Sequence, residues 1–183
     1  MNDLIIVDCQ YDFIDGSLAC GHSHEAVKYL VDFINSHDVR CLYTSDWHSK
    51  TNGSFQVNGG IWPVHCVAGS KGAELSPDFK EGIREKSNRP SSENLFLKGI
   101  RDDVEEYSAF HGVNAEGKAL SDVATQAVYV GGIASEYCVK ETILALTESG
   151  RKVIVLSEGL GYVDKAGHEK TLEELKHMGI EVI

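Results

Sequence analysis

Three residues of the chain have the types that acyl chemistry needs, and each stands just beyond a short apolar run. Asp8 closes the run Leu4-Ile5-Ile6-Val7, Lys98 follows Leu95-Phe96-Leu97, and Cys138 comes soon after Val128-Tyr129-Val130 and the pair Gly131-Gly132. A thiol attacking a carbonyl needs a base that takes its proton and later returns it to the leaving group. A buried carboxylate can do this, and a neighbouring ammonium keeps that carboxylate charged and favours a thiolate. Ser135 is placed as a helix N-cap, which puts Cys138 at the third helical position. There, unpaired N–H groups and the positive end of the helix dipole also favour the thiolate and could hold an oxyanion. Each residue has a plain alternative as well. Asp8 could cap a turn, Lys98 could be solvated, and Cys138 could be a small buried hydrophobe.

A second group is Asp46-x-His48 with His65, in S-D-W-H and W-P-V-H-C. Carboxylate and imidazole suit a borderline divalent ion, zinc first and iron or manganese next. In an extended D-x-H segment both side chains point the same way, and three protein ligands leave positions open for water or substrate. The signal is weak alone, because His22, His24, His37, His111, His168 and His177 are also present.

These residues need elements to hold them. Short apolar runs at 4–7, 41–44, 95–97, 128–130 and 153–156 predict strands, with a last one at 181–183. Apolar spacing predicts helices at 26–34, after Ser135 to a stop at Gly150, and at 169–178, with a weaker one at 115–123. The span 49–94 has poor periodicity, with a short helix or turn only at 73–79. An irregular span of that length usually builds a site or a lid. Strands alternating with helices imply a parallel sheet covered on both faces. In such sheets ligands sit beyond the strand C-terminal ends, where strand order reverses. Asp8, Asp46, His48, Lys98 and Cys138 all fall at that edge.

Residues 1–183 are expected to form a single domain. Lys plus Arg is 17 against 28 for Asp plus Glu, a net charge of −11, which argues against nucleic acid or an anionic membrane as partner. No apolar run approaches about 18 residues, so no membrane span is expected. The start, M-N-D-L-I-I-V-D, has neither basic flank nor cleavage site, and five scattered cysteines form no C-x-x-C pair. Both fit a cytoplasmic protein without a disulfide framework.

The segments I-I-V-D-C-Q-Y-D-F, S-D-W-H, G-S-F, I-W-P-V-H-C-V-A-G-S-K-G-A-E-L, L-K-G, Y-S-A-F and G-G-I-A-S-E-Y-C-V occur in one order along the chain. Together they resemble the nicotinamidase branch of the isochorismatase-like cysteine hydrolase superfamily. The resemblance implies a three-layer α/β/α fold with a mainly parallel six-stranded sheet in the order 3-2-1-4-5-6. It implies hydrolysis of nicotinamide to nicotinate and ammonia in NAD salvage, with pyrazinamide as a further substrate. It implies a triad of Asp8, Lys98 and Cys138, and metal ligation by Asp46, His48 and His65. An oxyanion hole from the N–H groups of Ala134 and Cys138 follows, beside a cis peptide between Ile133 and Ala134. Phe13, Trp62, Tyr107 and Ile133 match substrate-binding positions. Ser54 stands where some members carry a further metal ligand, and is expected to act through water. The segment 78–94 has no assigned counterpart, and homo-oligomerisation is left open. Another small-amide hydrolase of the superfamily is the alternative, and a non-catalytic binding protein on this fold a weaker one. The isochorismatase branch itself lacks the cysteine and the metal site.

Overall fold

The computed structural model describes residues 1–183. Six strands form one sheet: β1 (Asn2–Val7), β2 (Val39–Asp46), β3 (Leu95–Lys98), β4 (Ala127–Gly132), β5 (Lys152–Leu160) and β6 (Glu181–Val182). The order is β3-β2-β1-β4-β5-β6 and every pairing is parallel. This is the expected topology, with the reversal between β1 and β4. The helices are α1 (Tyr11–Ile14), α2 (Ser23–Ser36), α3 (Asp78–Glu81), α4 (Leu120–Val123), α5 (Lys140–Glu148) and α6 (Lys165–His177).

Strand β1 explains the layering. Its residues 4–7 are fully buried, and alternate side chains serve opposite faces. Leu4 and Ile6 join a core with Val27, Leu30, Phe33 and Ile34 of α2. Ile5 and Val7 join another with Val139, Ile143 and Leu146, together with Leu175 of α6. A strand buried on both sides must read as an unbroken apolar run, which is how it stands in the sequence.

Several expectations move at their edges. Ser135 is not the N-cap. Ala134 takes that place, and Ser135–Val139 form a π-helical turn that runs into α5, with Val139 N–H donating to Ala134 O at 3.2 Å. The helix expected at 115–123 shrinks to α4. Asn114 Oδ1 accepts from the N–H groups of Glu116 and Lys118, both at 3.0 Å, and this side-chain turn outcompetes helix there. The last helix starts earlier than expected, at Lys165, because Asp164 caps it by accepting from Gly167 N–H at 2.7 Å. Within 73–79 the helical turns lie at the ends, in the 3₁₀ turn Lys71–Ala73 and in α3. The segment 78–94 now has a role. It carries Phe79 and Ile83, both fully buried, onto the α2 side of the core, with the Phe79 ring edge-on to Tyr43 at 5.4 Å.

The reversal point requires one glycine. Gly132 pairs with Val7 and has φ +130°, and a Cβ there would lie 2.0 Å from Val7 O. Backbone cannot retreat without separating β1 from β4. Gly132→Ala is therefore expected to destabilise the fold by about 3 kcal/mol or more in denaturant unfolding. A loss under about 1 kcal/mol would contradict this placement of the strands.

Candidate active site

The edge beyond β1, β2, β3 and β4 is built by register. Asp46 and Lys98 are paired residues at the ends of β2 and β3. Asp8 follows Val7, whose partner Gly132 leads to Ile133 and the Cys138 turn. Asp8 itself has φ +46°, so the chain bends sharply there. Its Oδ1 accepts from Thr44 Oγ1 at 2.6 Å. Its Oδ2 lies 2.9 Å from Lys98 Nζ, is buried, and makes no hydrogen bond. Lys98 Nζ also donates to Asp46 Oδ1 and, at 3.5 Å, to Cys138 Sγ. Reactive atoms of Asp8, Asp46 and Cys138 all lie within 4.8 Å of one another. The structure thus brings Asp8, Lys98 and Cys138 together.

Electrostatics correct one expectation. Burial pushes the Cys138 thiol well above its ordinary value, and the Lys98 ammonium opposes this without cancelling it. A thiol held in this way needs a base to take its proton before sulfur can attack a carbonyl. Burial also raises the Asp8 carboxyl against the pull of Lys98, which makes it a stronger base. Asp46 goes the other way. Burial would raise it, but Lys98 and then His48 outweigh burial and hold it below the usual carboxylate range. Burial alone would strip Lys98 of its proton, and Asp46 and Asp8 reverse that, so it stays an ammonium.

The second group also converges. Asp46 Oδ2 lies 3.5 Å from His48 Nε2 and 3.9 Å from His65 Nε2, and all three residues are buried. His48 Nδ1 donates to Gly99 O and His65 Nδ1 donates to Pro63 O, each at 2.7 Å. In the neutral rings those bonds put the proton on Nδ1 and leave each Nε2 free to bind an ion beside Asp46. Burial holds His65 below its ordinary pKa, in the neutral form a metal requires. This donor set of one oxygen and two imidazole nitrogens fits a zinc-type divalent ion. Ser54 is buried with its Oγ unpartnered, and the ring of its neighbour Phe55 packs against His48 at 5.5 Å and His65 at 5.3 Å.

A cavity of about 430 Å³, counting its mouth, joins the two groups. It is lined by Asp46, His48 and His65, by Cys138 and Ala134, and by Phe13, Trp62 and Tyr107. Trp62 Nε1 donates to Tyr107 OH at 3.0 Å. The Ala134 N–H donates to no group of the protein, and the Ile133–Ala134 peptide is cis. Ile133 is corrected: its side chain is fully buried in the core and is not on the cavity wall. Sequence reasoning did not single out Thr44, Tyr137, Glu105 or Glu106. Tyr137 lies on the cavity wall, edge-on to Trp62 at 4.9 Å, and its spacing from Cys138 offered no signal. Gln10 was missed too. It clamps Asp46 by donating to its carbonyl and accepting from its N–H, both at 2.8 Å.

A model of the isochorismatase domain matches residues 3–183. The chain belongs to the isochorismatase domain family. It is 31% identical to a nicotinamidase of Saccharomyces cerevisiae, over 100% of this chain and 99% of that one. Two solved structures are similar at a TM-score of 0.84. One is a pyrazinamidase of Pyrococcus horikoshii in complex with zinc, 30% identical, covering 100% of this chain and 98% of that one. The other is a protein of L. infantum in complex with nicotinate, 29% identical, covering 100% and 92%.

The raised Asp8 carboxyl sets a pH dependence. With Asp8 as the base, protonation as the pH falls through that raised value would end hydrolysis. The acid limb of kcat/KM should therefore lie above the ordinary aspartate value of 3.8. Thr44→Val removes a hydrogen bond that lowers Asp8, and should move the limb higher. A pH–rate profile whose limb stays put or moves down in Thr44→Val would remove Asp8 from this role.

Proposed function

We propose that the chain is a nicotinamidase, hydrolysing nicotinamide to nicotinate and ammonia through a thioester on Cys138. The observation that carries this reading is one cavity lined both by the Asp46, His48 and His65 cluster and by the Cys138 thiol. A cavity lined by Phe13, Trp62, Tyr107 and Tyr137 as well as by these polar groups suits an aromatic ring with a short polar substituent. Nicotinamide has a pyridine nitrogen for one end and a carboxamide for the other. Pyrazinamide offers the same two features and is expected to be a second substrate.

Asp46, His48 and His65 would hold one divalent ion, zinc in first place, with Ser54 reaching it through water. Bound there, the ion supplies a Lewis-acid anchor for the ring nitrogen. Phe13, Trp62 and Tyr107 hold the ring, and the peptide after Ile133 presents the Ala134 N–H. Asp8 Oδ2 takes the Cys138 proton as sulfur attacks the carboxamide carbon. The developing oxyanion accepts from the N–H groups of Ala134 and Cys138. Asp8 then gives the proton to the amide nitrogen, the C–N bond breaks, and ammonia leaves a thioester. Asp8 next takes a proton from water, whose oxygen attacks the thioester carbon. The C–S bond breaks, the proton returns to sulfur, and the product acid gives its remaining proton to solvent and leaves as nicotinate. Lys98 stays charged throughout and holds Asp8 in place.

Two experiments test this. Cys138→Ala should retain nicotinate binding while ammonia release from nicotinamide falls to background. A variant keeping more than a few per cent of the wild-type rate would exclude Cys138 as nucleophile. Stripping the metal should abolish ammonia release and nicotinate binding together, while iodoacetamide labels Cys138 at nearly the untreated rate. His65→Ala should behave like the stripped protein. Labelling that collapses with the metal, or nicotinate binding that survives its loss, would contradict the division of roles between the two ends of the cavity.

A further inference from the structure

Beside the cavity, but outside the residues used so far, Ser135, Glu136 and His168 form a polar cluster. Ser135 is 1% exposed and directly follows Ala134. Its N–H donates to Gly161 O at 2.8 Å. Its Oγ lies 3.1 Å from Glu136 Oε2 and 2.8 Å from His168 Nδ1. A hydroxyl has one proton, and a carboxylate only accepts. Both contacts are satisfied in one way: Ser135 donates to Glu136, and His168 Nδ1–H donates to Ser135. The same carboxylate accepts from Val163 N–H at 3.2 Å and from Asp164 N–H at 2.7 Å. Val163 is on the cavity wall, and Asp164 caps α6, the helix that carries His168. The His168 ring also lies 5.0 Å from that of Tyr162.

The cluster therefore ties three pieces together: the Ser135–Val139 turn with its Cys138, the Val163 wall, and the first turn of α6. We infer that His168 is a positioning residue for the proposed hydrolysis. By donating from Nδ1 to Ser135 it holds the Ala134–Cys138 backbone where the oxyanion forms, without touching substrate. Without that donor the Ser135 hydroxyl loses its only side-chain anchor on α6. The bonds to Gly161 and Glu136 remain, but the turn loses a direct tie to α6 and can shift slightly, and sub-ångström placement of oxyanion donors governs rate more than binding.

The kinetic arm of the test rests on the nicotinamidase reading, and a second arm does not. Metal-loaded wild type, His168→Ala, His168→Asn and His168→Gln are compared. Asn places an N–H donor the same number of bonds from Cα as His Nδ1, whereas Gln places it one bond further. In His168→Ala, kcat for nicotinamide should fall about tenfold or more while KM stays within about threefold. His168→Asn should recover most of kcat, and His168→Gln should not. An unchanged kcat in His168→Ala, or His168→Asn no better than His168→Ala, would overturn the inference. Backbone amide hydrogen exchange forms the second arm. His168→Ala should speed exchange across 134–139, His168→Asn should restore protection, and β1 should be unaffected. Wild type that releases no ammonia from nicotinamide would refute the nicotinamidase reading alone, and exchange would then decide the inference. Unchanged exchange across 134–139 in His168→Ala would overturn it.

Discussion

The site depends on one fully buried ammonium. Lys98 Nζ sits among Asp8, Asp46 and Cys138, out of reach of solvent. Placing a lone charge there costs on the order of several kcal/mol, and only well-placed opposite charges offset it. Two carboxylates do so, and each receives something in return. Asp46 is held ionised, which a metal ligand requires. Asp8 is held in place by the ammonium and Thr44, while burial keeps its proton affinity high. The same cation thus supports both ends of the cavity, and the parallel register of β2 and β3 places it there by pairing Asp46 with Lys98.

In the proposed reaction that arrangement separates binding from chemistry. The oxygen and nitrogen donors facing one part of the cavity suit the recognition of a ring nitrogen, and the thiol facing another suits attack on an amide. Neither group needs the other's reactivity. The raised Cys138 thiol fits this division. A protonated cysteine gains nucleophilic character only when a base takes its proton, and in the proposed reaction Asp8, whose carboxylate lies within 4.8 Å of the thiol, is that base.

Much of this could be read from the chain because of how parallel sheets are made. Strands buried on both faces are short apolar runs, so their ends are visible, and Asp8, Asp46, Lys98 and Cys138 stand at those ends. The strand order came from resemblance to the family, since apolar runs do not state which strands pair. What stayed hidden was set by contacts distant in sequence. Gln10 reaches Asp46 across 36 residues, and His168 reaches Ser135 across 33. The local argument for a thiolate at the helix terminus left out burial by the whole fold, which pushes the Cys138 thiol up. Ser135 was misread as a cap because its hydroxyl turns to Glu136 and His168 instead of to the helix backbone. Ile133 was placed on the substrate because its position, but not its side-chain direction, is visible in a sequence.

The central claim is that an acyl group passes through Cys138. The most direct measurement is rapid acid quench of the metal-loaded protein during turnover of nicotinamide, followed by mass analysis of the Cys138 peptide. The account predicts a nicotinoyl group on Cys138, formed and lost fast enough to carry the steady-state rate. Full-rate release of ammonia with Cys138 unmodified at every quench time, including times within the first turnover, would contradict it.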